Sequence, residues 1–257
     1  MIILFTSENP ASANIAKALI ERHRFVPDGD KRWSRGDVRL IDTESPSVLD
    51  VPADLDTDLI IVLSTHRSRI EEKIMTAHFP GNWGDAELGG RSRTLCVAAA
   101  GRLKILLQEI KKEADRIGWK CSLEADHHGP TGATPMIFAE IGSGEAEWND
   151  PEAALAMANA IVASLSRDDR YQAVFGIGGG HYPKVFTRLM LETDLAIGHI
   201  LPKYAIDNLD EEMFRQALEK TVEKVWKVLV VKDETNAAQK GRISELARKA
   251  GIDCEFC

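Results

Sequence analysis

The chain has 257 residues, 44% of them hydrophobic and 28% charged, and a net charge of -8 from 32 Lys plus Arg against 40 Asp plus Glu. This is an ordinary globular composition, which excludes collagen, coiled coil and disorder as whole-chain descriptions. The longest apolar runs, such as residues 59–63 and 96–100, fall far short of the ~20 residues a membrane span needs, and the acidic balance opposes generic binding to nucleic acid.

No membrane or DNA partner is therefore expected, although an RNA enzyme with a local basic groove stays open. The N-terminal run Met1-Ile-Ile-Leu-Phe-Thr lacks a basic n-region and reads as a strand, not a signal peptide, so a cytoplasmic location is the expectation. Short apolar runs at 2–6, 38–42, 59–64, 95–98, 120–124, 137–141, 173–177, 195–200 and 227–231 read as strands. Several are almost continuously apolar, as in strands covered on both faces. Helical patterns lie between them. One opens at Pro10 after Asn9, and another places Leu103, Leu106, Leu107, Ile110 and Ala114 on one face of 101–117. Asp150-Pro151 caps an Ala-rich helix over 152–165, and 210–226 and 236–250 complete the set.

This alternation predicts a single α/β domain over residues 1–257, with a central mixed or largely parallel sheet flanked by helices. Residues 25–36 read as an exposed, charged excursion. The segment 78–93, with Pro80, Gly81, Gly84, Gly89 and Gly90, reads as a long loop of functional kind. The cysteines, Cys96, Cys121, Cys254 and Cys257, form no disulfide framework. Cys254-x-x-Cys257 is an isolated motif at the chain end, without a second pair.

Six of the seven histidines fall in Gly-, Pro- and Ser-rich loops or at strand ends, His23 on a polar helix being the exception. His66, His127, His128 and His181 each follow a predicted strand, where ligands of parallel sheets bind. They could converge although distant in sequence, and neutral imidazole is the commonest zinc ligand. Glu124, Asp126 and Glu140 are nearby carboxylates. No HExxH spacing is present, so spacing alone does not establish a metal site. Gly176-Ile-Gly-Gly-Gly-His181 is a strand-to-helix turn whose amides, those of Gly179 and Gly180 among them, could hold a phosphate or developing oxyanion. It matches neither GxGxxG nor a P-loop. His199 lies mid-strand and reads equally as a core histidine or a site residue.

The motifs Ser64-Thr-His66-Arg-Ser68, His78-x-Pro-Gly-Asn82, His127-His128-Gly-Pro-Thr131, Gly176-Ile-Gly-Gly-Gly-His181-Tyr-x-Lys184 and Gly198-His199-x-Leu-Pro-Lys203-Tyr204 together resemble the archaeal and plant-type D-aminoacyl-tRNA deacylases, the zinc-associated class. The likeness covers nearly the whole chain. It implies hydrolysis of the ester between a D-amino acid and tRNA, tolerance of many side chains, and two zinc ions per subunit. It also implies a fold related to the phosphorylase/hydrolase and peptidyl-tRNA hydrolase folds.

On this reading His66, His127, His128 and His181 are the candidate metal ligands. His128, His181 and Glu140, with the Gly179 and Gly180 amides, are the candidate catalytic groups. Arg67, His78, Thr131, Lys184, His199 and Lys203 are candidate substrate contacts. The partner is D-aminoacyl-tRNA, and a monomer is expected. A zinc-dependent amidase or phosphorylase-like enzyme acting on a small substrate, and a non-catalytic tRNA-binding module, are the rival readings.

Overall fold

The computed structural model describes residues 1–257. In chain order its elements are β1 (Ile2–Phe5), α1 (Pro10–His23), β2 (Val26–Pro27), β3 (Arg32–Arg35), β4 (Val38–Asp42), β5 (Ile60–Thr65), β6 (Ile74–His78), β7 (Gly81–Asn82), β8 (Thr94–Leu95), α2 (Ala100–Arg116) and β9 (Lys120–Leu123). They continue with β10 (Met136–Gly142), α3 (Glu145–Trp148), α4 (Pro151–Leu165), β11 (Gln172–Ile177), α5 (Lys184–Glu192), β12 (Leu195–Leu201), α6 (Glu211–Glu219), β13 (Val225–Val230), α7 (Ala237–Ala250) and β14 (Asp253–Phe256). The helix starts follow local chemistry. Asn9 accepts from the Ser12 amide and Asp150 from the Glu152 amide, each with proline in the next position.

These elements build two sheets. The larger has eight strands in the order β2-β3-β4-β1-β5-β10-β6-β9. β1 lies parallel between β4 and β5, and β10 continues in parallel beside β5 with Ile137 opposite Ile61. β6 then runs antiparallel to β10, which puts His78 opposite Phe138, and β9 follows β6 in parallel. The smaller sheet, β12-β11-β13-β14, is wholly parallel.

Side chains alternate across a strand, and the two faces of the large sheet have different covers. Ile3, Ile61 and Ile137 join Ile15 of α1, Leu106 of α2 and Met157 of α4 in one core of 61 buried residues. Ile2, Val62 and Phe138 belong instead to a cluster of 8, with Val51 and Ala53. Glu140 is two residues from Phe138 and shares its face, as does His78 across the ladder. This second, lightly covered face carries polar side chains into the middle of the sheet.

Several elements differ from the sequence expectation. The excursion at 25–36 contains the exposed strands β2 and β3, which pair antiparallel in a hairpin. β6 is a strand although Thr76 and His78 interrupt its apolar run; both are buried. The strand expected at 95–98 shrinks to β8, because Ala98 instead bonds to Lys220 and Val222. That pairing also ends α6 at Glu219, short of the expected 226. β14 pairs with β13 and absorbs Cys254 as a strand residue.

Candidate metal centre and active site

The loops that leave β5, β9 and β11 meet over the lightly covered face. His66 follows β5, Glu124 to His128 follow β9, and His181 follows β11. β9 runs opposite to β5 and β10, so the site spans the sheet face and is not confined to the carboxyl edge of parallel strands. Two backbone bonds tie the sheets together there, Ala125 N to His181 O at 3.0 Å and Asp126 N to Ile200 O at 3.3 Å.

Glu124 is the hub. It is 1% exposed, and three imidazoles converge on its carboxylate: His66 Nδ1 at 3.0 Å from Oε1, with His181 Nε2 at 2.8 Å and His127 Nε2 at 3.5 Å from Oε2. Glu140 lies beside it, 3.5 Å from His66 Nδ1 and 3.9 Å from His78 Nε2. The His127 ring centre is 4.4 Å from both His78 and His128, and 4.7 Å from His181. His128 adopts the left-handed backbone (φ 49), so the reversal begins at His128 itself, before the expected Gly129-Pro130. A side chain at Gly129 would place its Cβ 2.3 Å from the Gly90 amide. The 78–93 loop therefore packs directly on this turn.

The hydrogen bonds fix which nitrogens are available. His78, His127 and His128 each direct Nδ1 at a backbone carbonyl: Phe79 at 3.0 Å, Ala125 at 2.8 Å and Gly129 at 2.5 Å. A carbonyl only accepts, so Nδ1 carries the proton, and in His127 and His128 the Nε2 lone pair is left free, the arrangement seen around metal-ligating histidine. His66 Nε2 is 2.5 Å from the Tyr182 hydroxyl.

The electrostatics are those of a buried, mutually compensating cluster. Burial raises the Glu124 and Glu140 carboxyls, but the imidazoles facing them outweigh it. Glu124 is held well below the usual range by His181 and His66, and Glu140 is brought to about 2 by His66 and His78. Burial lowers His66, yet Glu124 and Glu140 lift it to about 10. Burial and the charge of His78 push His127 well down and His128 to about 4, so both stay neutral.

Both Glu124 oxygens and His78 Nε2 are buried without a hydrogen bond of acceptable geometry. Buried polar atoms are seldom left so, and cations held in this cluster would satisfy all three. The donor atoms of His66, Glu124 and His181, those of His78, His127 and His128, and those of His78, Glu124 and Glu140 each lie within 4.8 Å of one another. The residues fit a metal.

Two cavities flank this cluster. The larger, about 630 Å³, is lined by His66, Arg67, Glu140, Trp148 and His181; the smaller, about 340 Å³, by Asn82, Trp83, Asp126 and Tyr204. Leu88, His127 and His128 line both and form the ridge between them.

The sequence profile of the D-aminoacyl-tRNA deacylase family matches residues 53–255. The chain belongs to this family. It is 32% identical to the D-aminoacyl-tRNA deacylase of Pyrococcus furiosus and 34% identical to that of Thermococcus onnurineus, in each case over 98% of both chains. It also superposes on the crystal structure of a conserved protein of unknown function with a TM-score of 0.90, at 26% identity, covering 98% of this chain and 93% of the other. Membership does not favour the small-substrate amidase or the non-catalytic module.

The structure brings His66, His127, His128, His181 and Glu140 together and adds Glu124 as their common partner. It places His78 inside the cluster, fully buried, and not on a substrate-facing surface. His199 does not face a cavity either: its Nδ1 is 2.6 Å from Asp126 Oδ2 and it is fully buried, behind the His127-His128 segment. The Gly179 amide is not free for an oxyanion, because it donates to the Glu234 carboxylate. Glu234 also lies 3.6 Å from Lys203 Nζ, which draws Lys203 away from a phosphate role. Thr131 Oγ1 accepts from the Arg91 amide at 2.8 Å, outside both cavities. Arg67 lines the larger cavity with its guanidinium 5.1 Å from the Trp148 ring centre. Lys184 lines a separate cleft. In the sequence Glu124 is only one of three nearby carboxylates, with Asp126 and Glu140. The available signal was its place at the end of a strand, three residues before His127.

Proposed function

We infer that this chain hydrolyses the ester bond of D-aminoacyl-tRNA at a centre holding two zinc ions, and that residues 1–257 act as one deacylase domain. The observation that carries the reading is the set of orphaned buried donors, Glu124 and His78 Nε2, surrounded by imidazoles whose Nδ1 protons are already committed. His66, Glu124 and His181 would hold one ion and His78, His127 and His128 the other, with Glu140 beside both. Bound there, the metal supplies a Lewis acid for the ester carbonyl and an acidified water.

The chain's own groups do the positioning. The Phe79, Ala125 and Gly129 carbonyls lock the ring orientations of His78, His127 and His128. Burial raises the Tyr182 hydroxyl to about 12, so it stays a neutral phenol whose oxygen accepts the Nε2–H of His66. Glu140, held ionised, balances the positive charge of the cluster. The His199–Asp126 pair anchors the segment that carries His127 and His128. The ester sits at the ridge shared by the two cavities, with the terminal adenosine in the larger one near Arg67 and the amino-acid side chain in the smaller. The open walls of that smaller cavity suit many side chains.

The test is hydrolysis of matched D- and L-tyrosyl-tRNA by the purified protein. The D-ester should turn over and the L-ester should persist at the rate of its spontaneous decay. Equal hydrolysis of both, or of neither, contradicts the reading.

A further inference from the structure

A third cavity, about 580 Å³, runs between α5 and β9, the edge strand of the large sheet. Tyr182 lines it, and the hydroxyl of that residue reaches His66 Nε2 at 2.5 Å. Tyr182 thus touches both the cleft and the metal cluster. From Glu124 back to Lys120 the chain advances four residues, roughly 13 Å at the rise of a strand, so the cleft leads well away from the centre.

Its charges are unusual for a chain of net charge -8. The walls carry Lys111, Lys120, Lys184 and Arg188 against Glu72, Asp115 and Glu192. Glu72 is bound by Lys120 and Asp115 by Lys111, each at 2.5 Å. Lys184 and Arg188, exposed and one helical turn apart on α5, pair with no carboxylate within 4.0 Å, and Glu192 alone remains to oppose them. Lys73 adds a further cation 5.9 Å from the ring centre of Trp119, which also lines the cleft. Unpaired cations along a groove that adjoins an active centre through Tyr182 suit a phosphodiester backbone.

Resting on the deacylase reading, we propose that this cleft holds the single-stranded 3′ end of the tRNA, with Arg188 and Lys184 on the phosphates that precede the aminoacylated nucleotide. The local basic groove then offsets the repulsion of the acidic surface around it.

The experiment compares wild type, Arg188→Glu and, as a remote control, Arg35→Glu on two probes, D-tyrosyl-tRNA and the D-tyrosyl ester of adenosine. Each lost phosphate contact removes about one unit from the slope of log K against log salt. Arg188→Glu should raise KM for D-tyrosyl-tRNA about tenfold and flatten the salt dependence of kcat/KM by about one unit. Its kinetics on the adenosine ester, and those of Arg35→Glu on both probes, should match wild type. An unchanged salt slope, or equal losses on both probes, overturns the cleft assignment. Wild-type turnover of the adenosine ester reports the hydrolytic centre separately, so failure of the cleft is distinguishable from failure of the deacylase reading.

Discussion

Glu124→Gln is expected to lower kcat/KM for D-tyrosyl-tRNA by about 10³-fold or more and to strip metal from the centre. The substitution preserves shape and removes one charge. That charge faces nitrogens of His66, His181 and His127 at 3.0, 2.8 and 3.5 Å, and no other carboxylate reaches His181 or His127. An amide is a poor ligand for a cation that imidazoles alone must then hold. Loss of Lewis-acid stabilisation worth about 4 kcal/mol corresponds to about 10³ in rate. The fold should survive, because His66 can shed its proton when its partner becomes neutral. Steady-state kinetics alongside elemental analysis of the variant checks both parts. Retention of more than a tenth of wild-type activity would remove Glu124 from the centre.

His128→Ala is expected to abolish measurable deacylation while the protein stays folded. His128 is half-buried on the ridge common to both cavities, and its Nε2 is unspent. Its backbone is left-handed at φ 49, a region histidine enters more readily than alanine, so the Ala variant adds strain at the turn. His128→Asn is the companion variant, because asparagine enters that region readily. Both should lose about 10²–10³-fold or more in kcat, with the Asn variant melting close to wild type. An active Asn variant would show that the turn matters and the imidazole does not.

Much of the fold and part of the centre were legible in the sequence, for identifiable reasons. The starts of α1 and α4 are written in Asn9-Pro10 and Asp150-Pro151, and the apolar runs of β5, β10 and β11 mark buried strands. His66, His127, His128 and His181 were readable because each follows such a strand among small residues. Glu124 was not singled out, since a carboxylate at a strand end looks the same in sequence whether it meets solvent or three imidazoles. Only the sheet order, which sets β9 antiparallel to β10, turns it inward. His78 is hard to read for a related reason: β6 has too few apolar residues to announce itself, so in sequence a buried strand residue looks like the start of a loop. His199 and Gly179 depend on tertiary partners, Asp126 and Glu234, that lie 73 and 55 residues away.

The central claim is that this histidine–carboxylate cluster works as a metal centre. The most direct measurement is removal of metal by a chelator, followed by stepwise return of zinc, with metal content and D-tyrosyl-tRNA hydrolysis read on the same samples. The account predicts inactive metal-free protein, with activity rising in proportion to occupancy and saturating at two ions per chain. Full turnover by demonstrably metal-free protein would contradict it and return the imidazoles to proton transfer alone.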